Sequence, residues 1–217
     1  MAAMALPEQA MVQPAATGRR NPWRASLLWI AVSVAGAVAA ALAGWQVRTQ
    51  LTSGGASLGQ GLAFAATVVS AVIASGSQWL VLRRFRLDVY WWVPATVVAN
   101  LLNAIIVFPS ILNHFIPAPG SVVASELTIL GGALALAAAG LVVGIGQGLV
   151  LRSSSGDIAW AWIPATVVGG ALAGALTTTV ASNFVGLPSI AALSGLTAIG
   201  AFLTAASQVA VFVRLIR

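Results

Sequence analysis

The sequence predicts an all-α polytopic transmembrane helix bundle, six spans arranged as three repeated helical hairpins. Three observations predict it. Of 217 residues, 59% are hydrophobic and only 6% charged, against about 25% charged residues in soluble domains. Charge is missing from long runs: no Asp, Glu, Lys or Arg lies between Arg48 and Arg83, between Asp88 and Glu126, or between Asp157 and Arg214. A spanning helix needs about 20 apolar residues, and the last run has room for two. A polar turn also recurs. The string GSQWLVLRRFRLDVYWWVPAT at 76–96 returns as GQGLVLRSSSGDIAWAWIPAT at 146–166. Gln78, Leu82, Arg83 and Asp88 thus match Gln147, Leu151, Arg152 and Asp157, while Trp92, Pro94, Ala95 and Thr96 match Trp162, Pro164, Ala165 and Thr166. Each copy reads as a helix end, a short turn and a helix start.

Taken in order, residues 1–24 form a predicted disordered cytoplasmic tail, rich in Ala, Pro and Gln and without apolar periodicity. Residues 25–217 form one six-helix domain. The first span is 25–45. Ala41-Leu42-Ala43 resembles a signal-cleavage site, but the run is long enough to cross and the stretch before it is long for a signal, so a retained helix is predicted. A Gly/Ser/Thr turn at 49–60 leads to the second span, 62–82, and the basic turn 83–90 to the third, 91–112. Pro94 falls in its first turn, where a missing N–H costs nothing. The longest loop, 113–125, holds His114, Pro117 and Pro119. Spans 127–151, 160–181 and 190–213 complete the chain, with turns at 152–159 and 182–189.

The hairpins are then 25–82, 91–151 and 160–213. Trp23 aligns loosely with Trp92 as the first repeat start, and Ser207-Gln208 echoes Ser77-Gln78 as the third repeat end. With six spans, Arg19, Arg20, Arg24, Arg83, Arg84, Arg86, Arg152, Arg214 and Arg217 share one side and Arg48 alone lies opposite. The positive-inside rule places both termini in the cytoplasm. All ten basic residues are Arg and the net charge is +6; flanking membrane helices accounts for these charges, and no nucleic-acid partner is predicted. Cysteine is absent, so thiol and disulfide chemistry is excluded.

The Gln-Trp-Leu-Val-Leu-Arg-Arg…Trp-Trp-Val-Pro-Ala-Thr string resembles a group of uncharacterised bacterial multi-pass membrane proteins that carry tandem copies of this hairpin signature. The resemblance covers roughly residues 60–170 and implies the bacterial inner membrane and a repeated architecture. It implies no particular chemistry. The second copy departs from it, with Gly148 in place of Trp and Ser153 in place of Arg.

Polar residues within the spans are few. Gln78, Gln147 and Gln208 share one depth, just inside the cytoplasmic interface, where a partly dehydrated amide seeks a partner. They are expected to face the bundle interior as a polar layer, bonded to backbone or to the adjoining hairpin; the alternative is that each reaches separately for head groups. Asn100 and Asn103 lie mid-span, and Thr177, Thr178 and Thr179 in the outer half of the fifth span. They either bond across helices or line a small polar pocket. Arg83, Arg84, Arg86 and Arg152 are candidates for lipid head-group contact. Small residues recur every four positions, among them Gly36, Ala40 and Gly44, Gly140, Gly144 and Gly148, and Gly170 and Gly174. They serve close packing within the bundle, or a homo-oligomer or membrane-partner face.

No carboxylate lies inside a span, and no acid pair, metal cluster or nucleophile–base set is present. That argues against an enzyme and against an ion-coupled pump, and no cofactor or metal is predicted. A non-enzymatic membrane scaffold or accessory subunit is the leading expectation. The alternative is a small-solute transporter or the membrane-embedded substrate-binding subunit of an uptake system. A buried polar cavity of ligand size separates the two.

Overall fold

The computed structural model describes residues 21–52, 59–115, 125–183 and 190–216, and every element among them is helical. Of the predicted tail, 1–24, residues 1–20 lie outside the described residues, and its end is corrected, since Pro22 to Arg24 open the first helix. The helices are α1 (Pro22–Thr52), α2 (Gly59–Arg84), α3 (Trp92–Leu102), α4 (Phe108–Phe115), α5 (Ser125–Ser155), α6 (Trp162–Asn183) and α7 (Ile190–Leu215). A π-helical turn, Asn103–Val107, joins α3 to α4, and a 3-10 turn, Gly156–Ala161, joins α5 to α6.

Five helical stretches are long and apolar enough to cross a membrane: Pro22–Val47, Phe64–Arg84, Trp92–Ile111, Thr128–Val180 and Ala192–Leu215. The fourth runs for 53 residues and contains both α5 and α6, which pack on each other. Several boundaries differ from expectation. Helix α1 reaches Thr52 and α2 starts at Gly59, inside the stretch expected to be a turn. Ser and Gly weaken a helix only by tenths of a kcal/mol to about 1 kcal/mol each, so their presence alone does not end one.

Local chemistry ends the helices at the polar turns. The backbone N–H of Arg86 donates to Arg83 O and that of Leu87 to Leu82 O, with Arg86 itself at φ 61°. These bonds satisfy carbonyls that the end of α2 would otherwise orphan. At the second turn Gly156 takes the same left-handed conformation, φ 60°, at no Cβ cost.

The helices close a ring. Helix α1 packs on α2 and α7, α3 on α2 and α5, and α6 on α5 and α7. Small residues set the spacing. A Cβ built on Gly170 would lie 2.3 Å from Leu136 O, and one on Gly174 2.2 Å from Gly132 O. Only glycine permits this approach of α5 to α6, and in lipid such contact supplies much of the packing energy. Gly36 abuts Ser77 and Gly44 abuts Ser70 in the same way between α1 and α2, where Ser70 Oγ also donates to Ala40 O at 2.9 Å. These small-residue faces are therefore occupied inside the bundle.

Candidate functional site

At the arginine-rich end of the ring four aromatic side chains meet. Trp29, Trp92, Trp162 and Phe212 have no exposed surface. The three indoles stand edge to face, with centroids 5.4 Å (Trp29–Trp162), 5.8 Å (Trp92–Trp162) and 6.5 Å (Trp29–Trp92) apart, and Phe212 stacks on Trp29 at 5.0 Å. Such pairs add about 0.5–1.5 kcal/mol each beyond the burial of their area. The expected alignment of Trp23 with Trp92 is corrected here: Trp23 is 65% exposed, and Trp29 takes the matching place. The signal was present in the sequence, because a hydroxyl follows each floor indole four residues later, as Ser33, Thr96 and Thr166.

Those hydroxyls receive the glutamines. Gln78 Nε2 donates to Ser33 Oγ at 3.3 Å, Gln147 Nε2 to Thr96 Oγ1 at 3.1 Å and Gln208 Nε2 to Thr166 Oγ1 at 2.9 Å. Gln147 and Gln208 are buried, and Gln78 is partly so. This corrects the expected bonds to an adjoining hairpin: each amide bond joins the two helices that the sequence predicts as one hairpin. Gln147 also reaches the next element, accepting Trp162 Nε1–H at 2.9 Å. The corresponding atoms elsewhere are open: Trp29 Nε1, Trp92 Nε1 and Gln208 Oε1 are buried without a partner.

Beyond this floor lies a cavity of about 510 Å³, lined from the six helices of the ring: Ser33 and Ala37 (α1), Ala74 and Gln78 (α2), Asn100 (α3), Gly140 and Val143 (α5), Thr166, Gly170 and Thr177 (α6), Thr197 and Thr204 (α7). Asn103 and Phe108 add to the wall beside α3. Every lining side chain is uncharged. A second space of about 400 Å³ shares Ala37, Ala74, Asn100 and Thr197 with the first, so these four residues stand at the junction. Ligand pockets occupy about 300–1,000 Å³ and combine mainly apolar walls with a few placed polar groups.

The predicted polar residues divide. Asn100, Asn103 and Thr177 come together on the cavity wall. Thr178 instead packs against Gly132, and Thr179 Oγ1 donates to Ala175 O at 2.7 Å. Asn100 Nδ2 donates to Thr96 O at 2.8 Å and Asn103 Nδ2 to Ala139 O at 3.2 Å. Asn103 is 2% exposed, and its Oδ1 has no partner.

Arg83, Arg84, Arg86 and Arg152 are exposed. The Arg83 guanidinium sits 4.7 Å from the Trp79 ring centroid and that of Arg152 5.3 Å from Trp160, within cation–π range. Arg83 and Arg86 share a shallow hollow of about 210 Å³ with Asp88 and Tyr90. No protein-family model, curated protein or solved structure matches this chain.

Proposed function

We propose that the protein binds a small neutral solute in the axial cavity and serves its passage across the bacterial inner membrane, as a facilitator or as the membrane-embedded binding subunit of an uptake system. In this reading the chain crosses six times as three hairpins, with α5 and α6 as separate spans and both termini in the cytoplasm. The Trp–Gln floor then closes the cytoplasmic end of the path. One observation carries the proposal: a space of about 510 Å³ on the axis, with Asn100, Asn103 and Thr177 on an otherwise mainly apolar wall. The uncharged lining favours a neutral solute, since a desolvated ion with no counter-charge costs several kcal/mol or more. The exposed arginines beside the turns fit anionic lipid head groups, at about 1 kcal/mol per charge.

A second reading, an accessory subunit or scaffold, draws on a different feature. An apolar groove of about 530 Å³ runs between α3 and α5, lined by Trp91, Pro94, Val98, Leu149 and Val150 among others. A partner helix or a lipid chain fits such a surface.

Cysteine scanning separates the two, because the native chain has no cysteine. Thr177→Cys should react with a membrane-impermeant methanethiosulfonate added to spheroplasts and be shielded in inside-out vesicles. Neutral small molecules should be recovered from the purified protein by solvent extraction and mass spectrometry. A Thr177→Cys thiol that is inert from both sides, with nothing recovered, would leave the scaffold reading.

A further inference from the structure

The floor is tied unevenly. Gln147 Oε1 on α5 accepts from Trp162 Nε1 at the start of α6, 2.9 Å away. Carried round the ring, the same relation pairs Gln208 on α7 with Trp29 on α1, and Gln78 on α2 with Trp92 on α3. The three indoles make nearly equal angles with one another, 75–77°, as matched positions should. Phe212 stacks on Trp29, and Gln208 lies one turn away from Phe212 on the same face of α7. Yet Trp29 Nε1, Trp92 Nε1 and Gln208 Oε1 are all buried without a hydrogen-bond partner. One junction is closed, and the polar atoms of the other two are not satisfied.

Close packing and cross-helix bonds divide the ring in the same way. Helices α1 and α2 are held together by Gly36 against Ser77 and Gly44 against Ser70, and by the bonds from Ser70 to Ala40 O and from Gln78 to Ser33. Helices α5, α6 and α7 form a second body. Gly170 and Gly174 meet the α5 backbone, and a Cβ on Gly169 would lie 2.6 Å from Thr204 Cα of α7. Gln208 bonds Thr166 and Ser207 Oγ donates to Ala165 O between α7 and α6. Helix α3 is tied to α5, through Gln147 to Thr96 and Asn103 to Ala139 O. The two bodies meet along two seams, α1–α7 and α2–α3, and these are the junctions with the unsatisfied atoms. At the floor the α1–α2 body touches the other through rings: Trp29 on Trp92, Trp162 and Phe212, and Phe85, just past α2, on Phe212. Such faces part without stranding a charge. Away from the floor, the same pair fronts the space of about 400 Å³, with Ala40, Gly44 and Ser70 on one side and Leu193 and Thr197 of α7 on the other.

Resting on the cavity reading above, we infer that α1 and α2 rock as one body against α3 and α5–α7, so that the floor parts along the α1–α7 and α2–α3 seams while the Gln147–Trp162 bond stays shut. Tilting into the 400 Å³ space closes the far end of the path as the floor opens. Opening lets water reach Trp29 Nε1, Trp92 Nε1 and Gln208 Oε1, which recovers the desolvation they bear in the closed floor. It costs the ring contacts of Trp29. The two terms are of similar size and opposite sign, which keeps both states within reach of each other.

Leu80, Leu149 and Ala210 each follow a floor glutamine by two residues and are exposed, so they are matched positions for spin labels. The test labels the full chain in lipid nanodiscs in two pairs, Leu80→Cys with Ala210→Cys between the bodies and Leu149→Cys with Ala210→Cys within one, and reads distances by double electron–electron resonance. The first pair should show two distances and the second pair one. Gln208→Met removes the unpartnered oxygen and loses the Thr166 bond in both states alike, so it should lower the longer component about tenfold, the factor for one buried unsatisfied group. Phe212→Leu removes the ring stacked on Trp29 and should raise that component about fivefold. A single distance for the first pair in both the wild-type and the Phe212→Leu protein, two distances for the second pair, or a longer component that neither substitution moves overturns the rocking and leaves the cavity standing. A Thr177→Cys thiol inert from both sides of the membrane overturns the cavity reading itself.

Discussion

Replacing Gln147 by leucine should destabilise the bundle far more than the same change at Gln208, although both glutamines are buried. Gln147 holds two partners, donating to Thr96 Oγ1 and accepting from Trp162 Nε1. Leucine removes both bonds and strands the indole N–H of a side chain with no exposed surface. A stranded buried donor costs about 1–3 kcal/mol, and a lost interhelical bond in lipid about 0.6 kcal/mol. Thr96 adds little, because its hydroxyl still donates to Trp92 O. The expected loss is about 2–3 kcal/mol. Gln208 makes one bond, to Thr166, and its Oε1 is already unpartnered. Leucine there relieves one penalty while causing another, so the net change should be within about 0.5 kcal/mol. Gln78, partly exposed and bonded at 3.3 Å, should lose about 0.5 kcal/mol. Unfolding in mixed micelles with rising dodecyl sulfate, read by tryptophan fluorescence, measures all three. Pairing Gln147→Leu with Trp162→Phe closes a double-mutant cycle, and the coupling should reach about 1 kcal/mol. Equal losses at Gln147 and Gln208, or zero coupling to Trp162, would refute the reasoning.

Trp29→Ala should be among the most damaging single changes, about 3–5 kcal/mol for a fully buried indole with three aromatic neighbours, while Trp23→Ala, on an exposed side chain, should stay within about 0.5 kcal/mol; the same unfolding assay compares them. Gly174→Val should prevent accumulation of folded protein, since even its Cβ would meet Gly132 O at 2.2 Å; size-exclusion recovery in detergent tests this, and wild-type yield would count against the close α5–α6 contact. Reporter fusions after Arg48, Arg86, Gly120, Gly156 and Pro188 should alternate out, in, out, in, out, and a periplasmic signal at Gly156 would refute six spans. Neutralising Arg83, Arg84 and Arg86 together should lower the preference for anionic over zwitterionic lipid, about 1 kcal/mol per charge, measured by lipid retention in native mass spectrometry.

Helical character and the polar stretch after Arg83 were legible in the sequence, because both depend on quantities that add up locally, whereas the turn expected at 152–159 is helical, α to Ser155 and 3-10 from Gly156. Some 20 apolar residues without charge suffice for a span, and Arg83 to Tyr90 or Arg152 to Ala159 interrupt such runs whatever surrounds them. The recurrence of Gln, Arg and Trp-x-Pro-Ala-Thr needed only alignment of the chain with itself. The buried Gln147 and Gln208 lie inward as their amides suggested, but elsewhere the inward face of each helix was not legible. In water an apolar stripe marks the buried face, but lipid is as apolar as the bundle core, so these helices carry no such stripe. Only packing sends Trp29 to the floor and leaves Trp23 outside, and only packing separates Thr177 on the cavity wall from Thr178 and Thr179, its immediate neighbours on the same turn. Asn103 was hidden in the same way: its Nδ2 bonds Ala139 O, 36 residues away, a relation that no local reading of either segment contains.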